Sequence, residues 1–446
     1  MSAPRGDGRS WTPPAPQPDH TDWGQVVAEG AYRTYHVLRR ALVHNAVGPG
    51  AAPAFHAALG AARAGAVDDL LAQLDGPGRA AAVRDLHREL IVSEPDSELL
   101  LSYLRRRITR SLKTADPGNR APAYAWPVST CCYAAVRAYE ATRDRRYLNL
   151  VAETFEGILP FRDRELGRSD QCRGRIGAGW GGTQFAKGKY TTNITTAGRI
   201  AYPIVLLHRV VEQGERLRRV MRDQVRGHLA VIEEVLADLD DDFVAVGDEG
   251  FYPRPGTARP EPVNHMAWAG AAFLELHAAT GSAAYLDRAG RVARFLYRSL
   301  RDDGAEGVVW GYAPSPRDRD GGPERVWKAQ VTTQFMTAAA RHGVEFERDD
   351  LRRIAATILR NVFLADGRLN TRIDRVVEPF DSFGGKVHGG MGSVVGMLEL
   401  EPYAPGLRKR IVDLVADDPG VGGWFGTAPG AVGYTRLLAT PGVPLV

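Results

Sequence analysis

Between residues 22 and 110, apolar positions recur three and four apart, and no stretch alternates with period two for long enough to make a strand. Gly48-Pro49-Gly50, Gly76-Pro77-Gly78 and Pro95 punctuate this region, so the pattern predicts helices over 23–47, 52–64, 67–74, 79–92 and 97–112. Further on, the helices come in pairs, each a nearly uncharged helix followed after a short turn by an amphipathic one. Residues 133–148 and 271–286 share this grammar position by position: a small-residue helix ending in Ala-Thr, a four-residue turn, then Tyr-Leu. Thr142 matches Thr280, Tyr147 matches Tyr285, and Leu148 matches Leu286. Looser copies follow at 192–211 with 215–239, 330–340 with 348–363, and 394–400 with 407–415. Loops rich in glycine and aromatics separate them: 177–182 with Trp180, 247–252, 304–312 with Trp310, and 420–426 with Trp424.

A helix that avoids charge is surrounded by other helices, whereas one with a charged stripe keeps a wet face. Repeated inner–outer pairs predict an all-α fold, an α/α toroid built as a barrel of roughly six helical hairpins with a helical N-terminal extension. An open solenoid is the rival pattern. The long aromatic loops favour a ring, because they can line one mouth. On this reading 1–20 is a disordered leader and 21–446 a single toroid domain, with N-terminal helices over 21–112 and the repeat core over 121–440.

Composition narrows the partners. Of 446 residues, 44% are hydrophobic, enough for a substantial core, and a net charge of +4 with arginine interleaved among acids does not make a nucleic-acid groove. No apolar run reaches the roughly 18 residues of a membrane helix. Residues 1–20 are polar and proline-rich with no apolar segment, so a secretory signal is not expected and the expected location is cytoplasmic. Cys131, Cys132 and Cys172 lack CxxC spacing, which predicts neither a disulfide frame nor a zinc knuckle. Phosphate-loop, dinucleotide, HExxH and GxSxG signatures are missing as well. No cofactor or metal is expected; the expected partner is a small molecule or an oligosaccharide, with neither nucleic acid nor membrane, and the oligomeric state stays open.

The polar residues gather at the start of one uncharged helix. Pro262 suits a helix start, since its missing N–H costs nothing there, and Asn264, His265 and Trp268 follow at the mouth of the hairpin. A neutral imidazole is a usable base near pH 7, and amide donors favour developing enolate charge. Trp180 to Tyr190 forms a second group, joining an aromatic platform, Lys187, Lys189 and a possible acid/base in Tyr190, with Arg199 about two turns inside the next helix. Each group has a plainer reading too, as a capped helix end and a surface loop. Asp170, Asp248, Glu249, Glu261, Asp374, Glu378 and Asp381 are loop carboxylates, and a hydrolase would need two of them facing across a sugar, roughly 5–10 Å apart.

Over 124–438 the hairpin grammar resembles the α/α-toroid enzymes: glycoside hydrolases, sugar epimerases, polysaccharide lyases, and lanthipeptide and terpene cyclases. Asn264-His265-x-x-Trp268 is similar to the pattern that opens a helix in alginate-lyase-type enzymes. That resemblance implies Asn264 as the partner of a uronate carboxylate and His265 as the base, with Tyr190 as acid. Trp180, Arg199, Trp268, Trp310 and His388 are then expected to bind substrate. The stretches 386–392 and 423–430 resemble glycine-flanked helix starts of lanthionine cyclases, but Trp424-Phe425 stands where their zinc-binding cysteine would be. The expected function is that of a carbohydrate-active lyase or epimerase. A specialised-metabolite cyclase or a non-catalytic ligand-binding toroid is the alternative.

Overall fold

The Ala-Thr endings that mark the repeat terminate their helices by the same chemistry. Thr142 Oγ1 donates back to the Ala138 carbonyl at 2.7 Å and Thr280 Oγ1 to that of Leu276 at 2.7 Å. Each hydroxyl then accepts from the backbone two residues on, Asp144 and Ser282. The residue after each threonine takes a left-handed conformation, Arg143 at φ 62° and Gly281 at φ 73°, and the chain reverses. The matched tyrosines also act alike: Tyr147 donates to the Ser97 carbonyl and Tyr285 to Glu233, each tying its outer helix to the preceding one.

The computed structural model describes residues 97–365, 367–379, 387–416 and 428–439. These contain twelve main helices: α1 Ser97–Lys113, α2 Ser129–Thr142, α3 Arg146–Ile158, α4 Ile194–Gln213, α5 Glu215–Ala237, α6 Val263–Thr280, α7 Ala283–Tyr297, α8 Val326–Arg341, α9 Arg348–Thr357, α10 Val387–Gly396, α11 Leu407–Ala416 and α12 Ala428–Leu438. Four helices expected within 23–92, the leader, and the loop with Trp424 lie outside the described residues.

The even-numbered helices form the inner layer. Each packs on the next, α2 on α4, α4 on α6, α6 on α8, α8 on α10 and α10 on α12, and α12 returns to α2. This contact closes the ring and excludes the open solenoid. The odd-numbered helices lie outside: α3 on α2, α5 on α4, α7 on α6, α9 on α8, α11 on α10, and α1 against both α12 and α2. The fold is therefore an α/α toroid, as the resemblance implies. Inner backbones approach closely where glycine allows it. A Cβ on Gly198 of α4 would stand 2.5 Å from that of Ala269 on α6, and one on Gly433 of α12 would stand 2.2 Å from the Val395 carbonyl oxygen on α10. α6 is buried on nearly every side, while α7 buries one face through Val292, Phe295 and Leu296.

Inner and outer helices alternate along the chain from α1 to α12, so all six inner helices begin at the same end. The long loops 159–193, 238–262 and 298–325, and the described stretches 358–365 and 367–379, lie at that end. Two features of this end are not predicted by the periodicity. Short antiparallel hairpins, β1 Val244–Val246 with β2 Glu249–Phe251 and β3 Leu300–Asp302 with β4 Val308–Trp310, stiffen two of the loops. In addition, α8 starts at Val326, earlier than the expected 330, because its first turn carries Lys328 and breaks the uncharged pattern. Among the described residues no helix is long and apolar enough to cross a membrane.

Candidate active site at the mouth of the ring

Three inner helices begin around a common point. Before α2 the chain makes a widened π turn, Tyr124–Val128, with Pro127 inside it, which sets Trp126 half-buried at the mouth. Asn193 caps α4 by accepting the Thr196 N–H at 2.9 Å, and Arg199 follows on that helix. Pro262 precedes α6, whose first turn carries Asn264 and His265.

Arg199 is 3% exposed, and its guanidinium lies between two indoles, 4.0 Å from the Trp126 centroid and 4.4 Å from that of Trp268. Desolvated cation–π contacts are worth about 2 kcal/mol each. Nε donates to the Ala125 carbonyl at 2.8 Å and Nη2 to Thr130 Oγ1 at 3.1 Å, while Nη1 is buried without a partner. No carboxylate among the described residues pairs with it, and burial pushes its pKa down to about 9. Trp268 is the floor beneath it. Its Nε1 donates to Gln334 Oε1 at 2.7 Å, and its ring packs on Tyr133 and Tyr202 at 5.2 and 5.6 Å.

His265 stands on the wall above this floor, its side chain 12% exposed. Nδ1 donates to Glu261 Oε2 at 2.8 Å, one helical turn back, and Glu261 is 2% exposed. A buried carboxylate at Nδ1 fixes the proton there and leaves the Nε2 lone pair free. The ring meets Phe185 at 5.0 Å and Trp126 at 6.1 Å, both edge-on. Two acceptors beside it, Glu261 Oε1 and Asn264 Oδ1, are buried without partners. Buried acceptors and donors left open in this way are rare in finished cores and common where a ligand completes the set.

His265, Asn264, Arg199 and Trp268 are thus brought together around Trp126, Phe185 and Glu261. Three other residues expected at the cavity lie apart from it. Trp180 is buried under its loop against Phe155, with Nε1 donating to the Ile158 carbonyl at 2.9 Å. Trp310 is fully buried and donates to Glu324 Oε2 at 2.5 Å. Tyr190 donates to Asp163 at 2.5 Å, and burial with this carboxylate pushes its phenol above the usual range. Glycine-rich loops packed back onto the helices needed large indoles as plugs, which accounts for both tryptophans. The side chain of His388, in the first turn of α10, lies outside what the structure describes.

Most of the loop carboxylates are occupied. Asp170 accepts from Thr191, Thr192, Cys172 and Arg173, Asp248 from Arg298, Glu249 from Arg319, and Asp374 from Arg372, while Glu378 pairs with Arg325. Asp381 lies outside the described residues. Of the described set, Glu261 alone combines a place at the mouth with an open oxygen. Glu324, just before α8, is fully buried, with both oxygens accepting, from Trp310 and from Thr332 at 3.0 Å, and burial pushes its pKa up to about 8. Trp126 and Phe185 carry no sequence signal of their own, since half-buried aromatics are common in any loop.

No protein family and no curated protein matches the chain. Among solved structures it is similar to the α-1,6-mannanase GH76A of Salegentibacter sp. HEL1_6, at 14% identity and a TM-score of 0.48, over 77% of this chain and 98% of that one. A sugar epimerase from a ruminal bacterium matches at 13% identity and a TM-score of 0.41, over 64% of this chain and 72% of that one. An unsaturated glucuronyl hydrolase matches at 15% identity and a TM-score of 0.36, over 70% and 74%.

Proposed function

We propose that the mouth is the active site of a carbohydrate-active enzyme that moves a proton at a carbon next to a carbonyl or carboxylate, the step shared by sugar epimerases and uronate lyases. The observation that carries this reading is the Glu261–His265 pair, set at 2.8 Å in an aromatic mouth above a cation that has no carboxylate partner. His265 accepts the carbon-bound proton at Nε2, and Glu261 holds the tautomer and stabilises the imidazolium. The C–H electron pair moves onto the carbonyl or carboxylate oxygen, where the field of Arg199 favours the new negative charge. The imidazolium then passes its proton to a leaving oxygen on the same face, or returns it to the opposite face of that carbon after the planar enolate has turned over, which inverts the centre. Trp126 and Phe185 offer ring faces for the sugar, and Glu261 Oε1 and Asn264 Oδ1 accept its hydroxyl protons. Tyr190, tied to Asp163, has no part in this scheme.

Two-carboxylate hydrolysis is disfavoured, because Glu261 finds no second open carboxylate beside it among the described residues. The test is proton exchange in D2O, followed by NMR, with uronates and reducing aldoses as substrates. The wild-type protein is expected to place deuterium next to the carbonyl or carboxylate, and His265→Ala to slow this by a factor of about 10² or more. Sugars that bind the wild-type protein and gain no deuterium would defeat the reading.

A further inference from the structure

Between the starts of α6 and α8 the mouth is built differently. The loop before α8 sets Tyr312 against the start of α6, where its carbonyl accepts the Val263 N–H at 3.0 Å. Lys328, in the first turn of α8, holds its ammonium 3.7 Å above the Tyr312 ring centroid. Arg254 stands nearby: its charge acts on both Lys328 and Tyr312, and its Nε donates to the Pro260 carbonyl at 3.2 Å. All three residues are half-buried.

Neither cation has a carboxylate within ion-pair distance among the described residues. The arrangement makes this unusual, because Glu324 lies four residues before Lys328, the spacing at which Glu and Lys normally pair on a helix. Its carboxyl is instead turned inward and shared between Trp310 and Thr332. Burial raises its pKa to about 8, and although its charge favours the Lys328 ammonium, it makes no ion pair with it and leaves the ammonium's hydrogen-bond positions open. Arg325, on the same turn, is satisfied by Glu378 at 2.6 Å. The two cations repel one another and lose hydration in partial burial, and an anion bound beside them relieves both costs.

We infer that Lys328 and Arg254, on the platform of Tyr312, form an anion subsite, so that the substrate is a sugar bearing a carboxylate or a phosphate. This rests on the reading of the mouth as the active site and deepens it. The aromatic wall takes the sugar face, the cationic wall takes the charged substituent, and His265 lies between them on α6. Lys328 and Arg254 are specificity residues on this account and do not touch the reacting carbon.

The experiment is calorimetric titration of the full chain with inorganic phosphate, D-glucuronate and D-glucose, compared among wild type, Lys328→Gln, Arg254→Gln, Lys328→Arg and His265→Ala, with melting midpoints recorded for each. Lys328→Gln and Arg254→Gln are each expected to weaken anion binding by about tenfold, the loss of one charged hydrogen bond. Glucose binding should be unchanged, and Lys328→Arg should keep most of the anion affinity. A larger loss for glucuronate assigns the subsite to a carboxylate, and a larger loss for phosphate assigns it to a phosphate ester. His265→Ala is expected to bind both anions like wild type, so failed proton transfer and a failed anion subsite give different results. Anion binding by Lys328→Gln and Arg254→Gln equal to wild type, or a wild-type protein that binds neither anion, overturns the inference.

Discussion

At the end of the ring where the inner helices finish, Arg137 pairs with Glu140 at 2.5 Å, and Arg209 bridges Glu140 and Glu275 at 2.7 and 2.8 Å. His342 reaches Glu275 at 3.4 Å, and Arg408 and Arg436 share Glu401. At the end where those helices begin, Arg199, Lys328 and Arg254 have no such partners among the described residues, and Glu261 spends one oxygen on a histidine and leaves the other open. Arginines near helix C-termini also answer the dipole there, so the ion-pair network stabilises the ring. Between the two ends Trp268 separates Arg199 from Tyr133, which donates to Glu399. The same residue types serve as a clasp at one end and stay available at the other. Every acid named at the clasp end has an arginine or histidine partner, even where a second oxygen, as on Glu275 and Glu399, stays open, whereas Arg199 has no carboxylate partner among the described residues.

The comparison is broken most severely by a matched pair of substitutions. Glu275→Ala would leave Arg209 with Glu140 alone and take the carboxylate from His342, and is expected to cost about 3 kcal/mol in a denaturant titration. Proton exchange per folded molecule should persist. Arg199→Met gives up two cation–π contacts and two hydrogen bonds, but also the cost of a desolvated charge without a carboxylate partner among the described residues. It is therefore expected to shift stability by about 1–2 kcal/mol and to abolish exchange. A reversal, with Arg199→Met the more destabilising, would mean that the mouth is built for stability.

A smaller effect separates the ends by pH. Although burial opposes ionisation of Glu275, the His342 hydrogen bond and the Arg209 and Arg341 charges outweigh it and hold the pKa at about 2. A carboxylate depressed below its usual value of 4.5 gives stability that is present above pH 4.5 and is lost as pH falls towards 2. Glu324 has the opposite sign. Its folded pKa of about 8 lies above the usual 4.5, so the folded state holds an extra proton between the two values, and stability falls as pH rises from 4.5 to 8. Melting curves of Glu324→Gln should therefore lose less between pH 5 and pH 8 than those of wild type. An unchanged slope would place the proton on another group.

Much of the ring was legible in the chain because burial from all sides leaves a direct mark, the absence of charge, on α2, α4 and α6. The threonine-ended hairpins were legible for a local reason, since each threonine caps its own helix. Asn264, His265, Trp268 and Arg199 could be picked out because each is a polar or large residue inside an otherwise small, apolar helix. Trp180 and Trp310 misled, because an indole in a glycine-rich loop looks the same from sequence whether it faces a cavity or plugs a gap. Trp126, Phe185, Lys328 and Arg254 acquire their roles only when distant loops meet, and spacing along one helix carries no trace of that.

The central claim is that Glu261 fixes the proton on Nδ1 of His265 and leaves Nε2 as the base. The 15N chemical shifts of the His265 ring test it directly, compared between wild type and Glu261→Gln at neutral pH. The account predicts the Nδ1–H tautomer in wild type and loss of that preference in Glu261→Gln. A wild-type ring that carries its proton on Nε2 would contradict it.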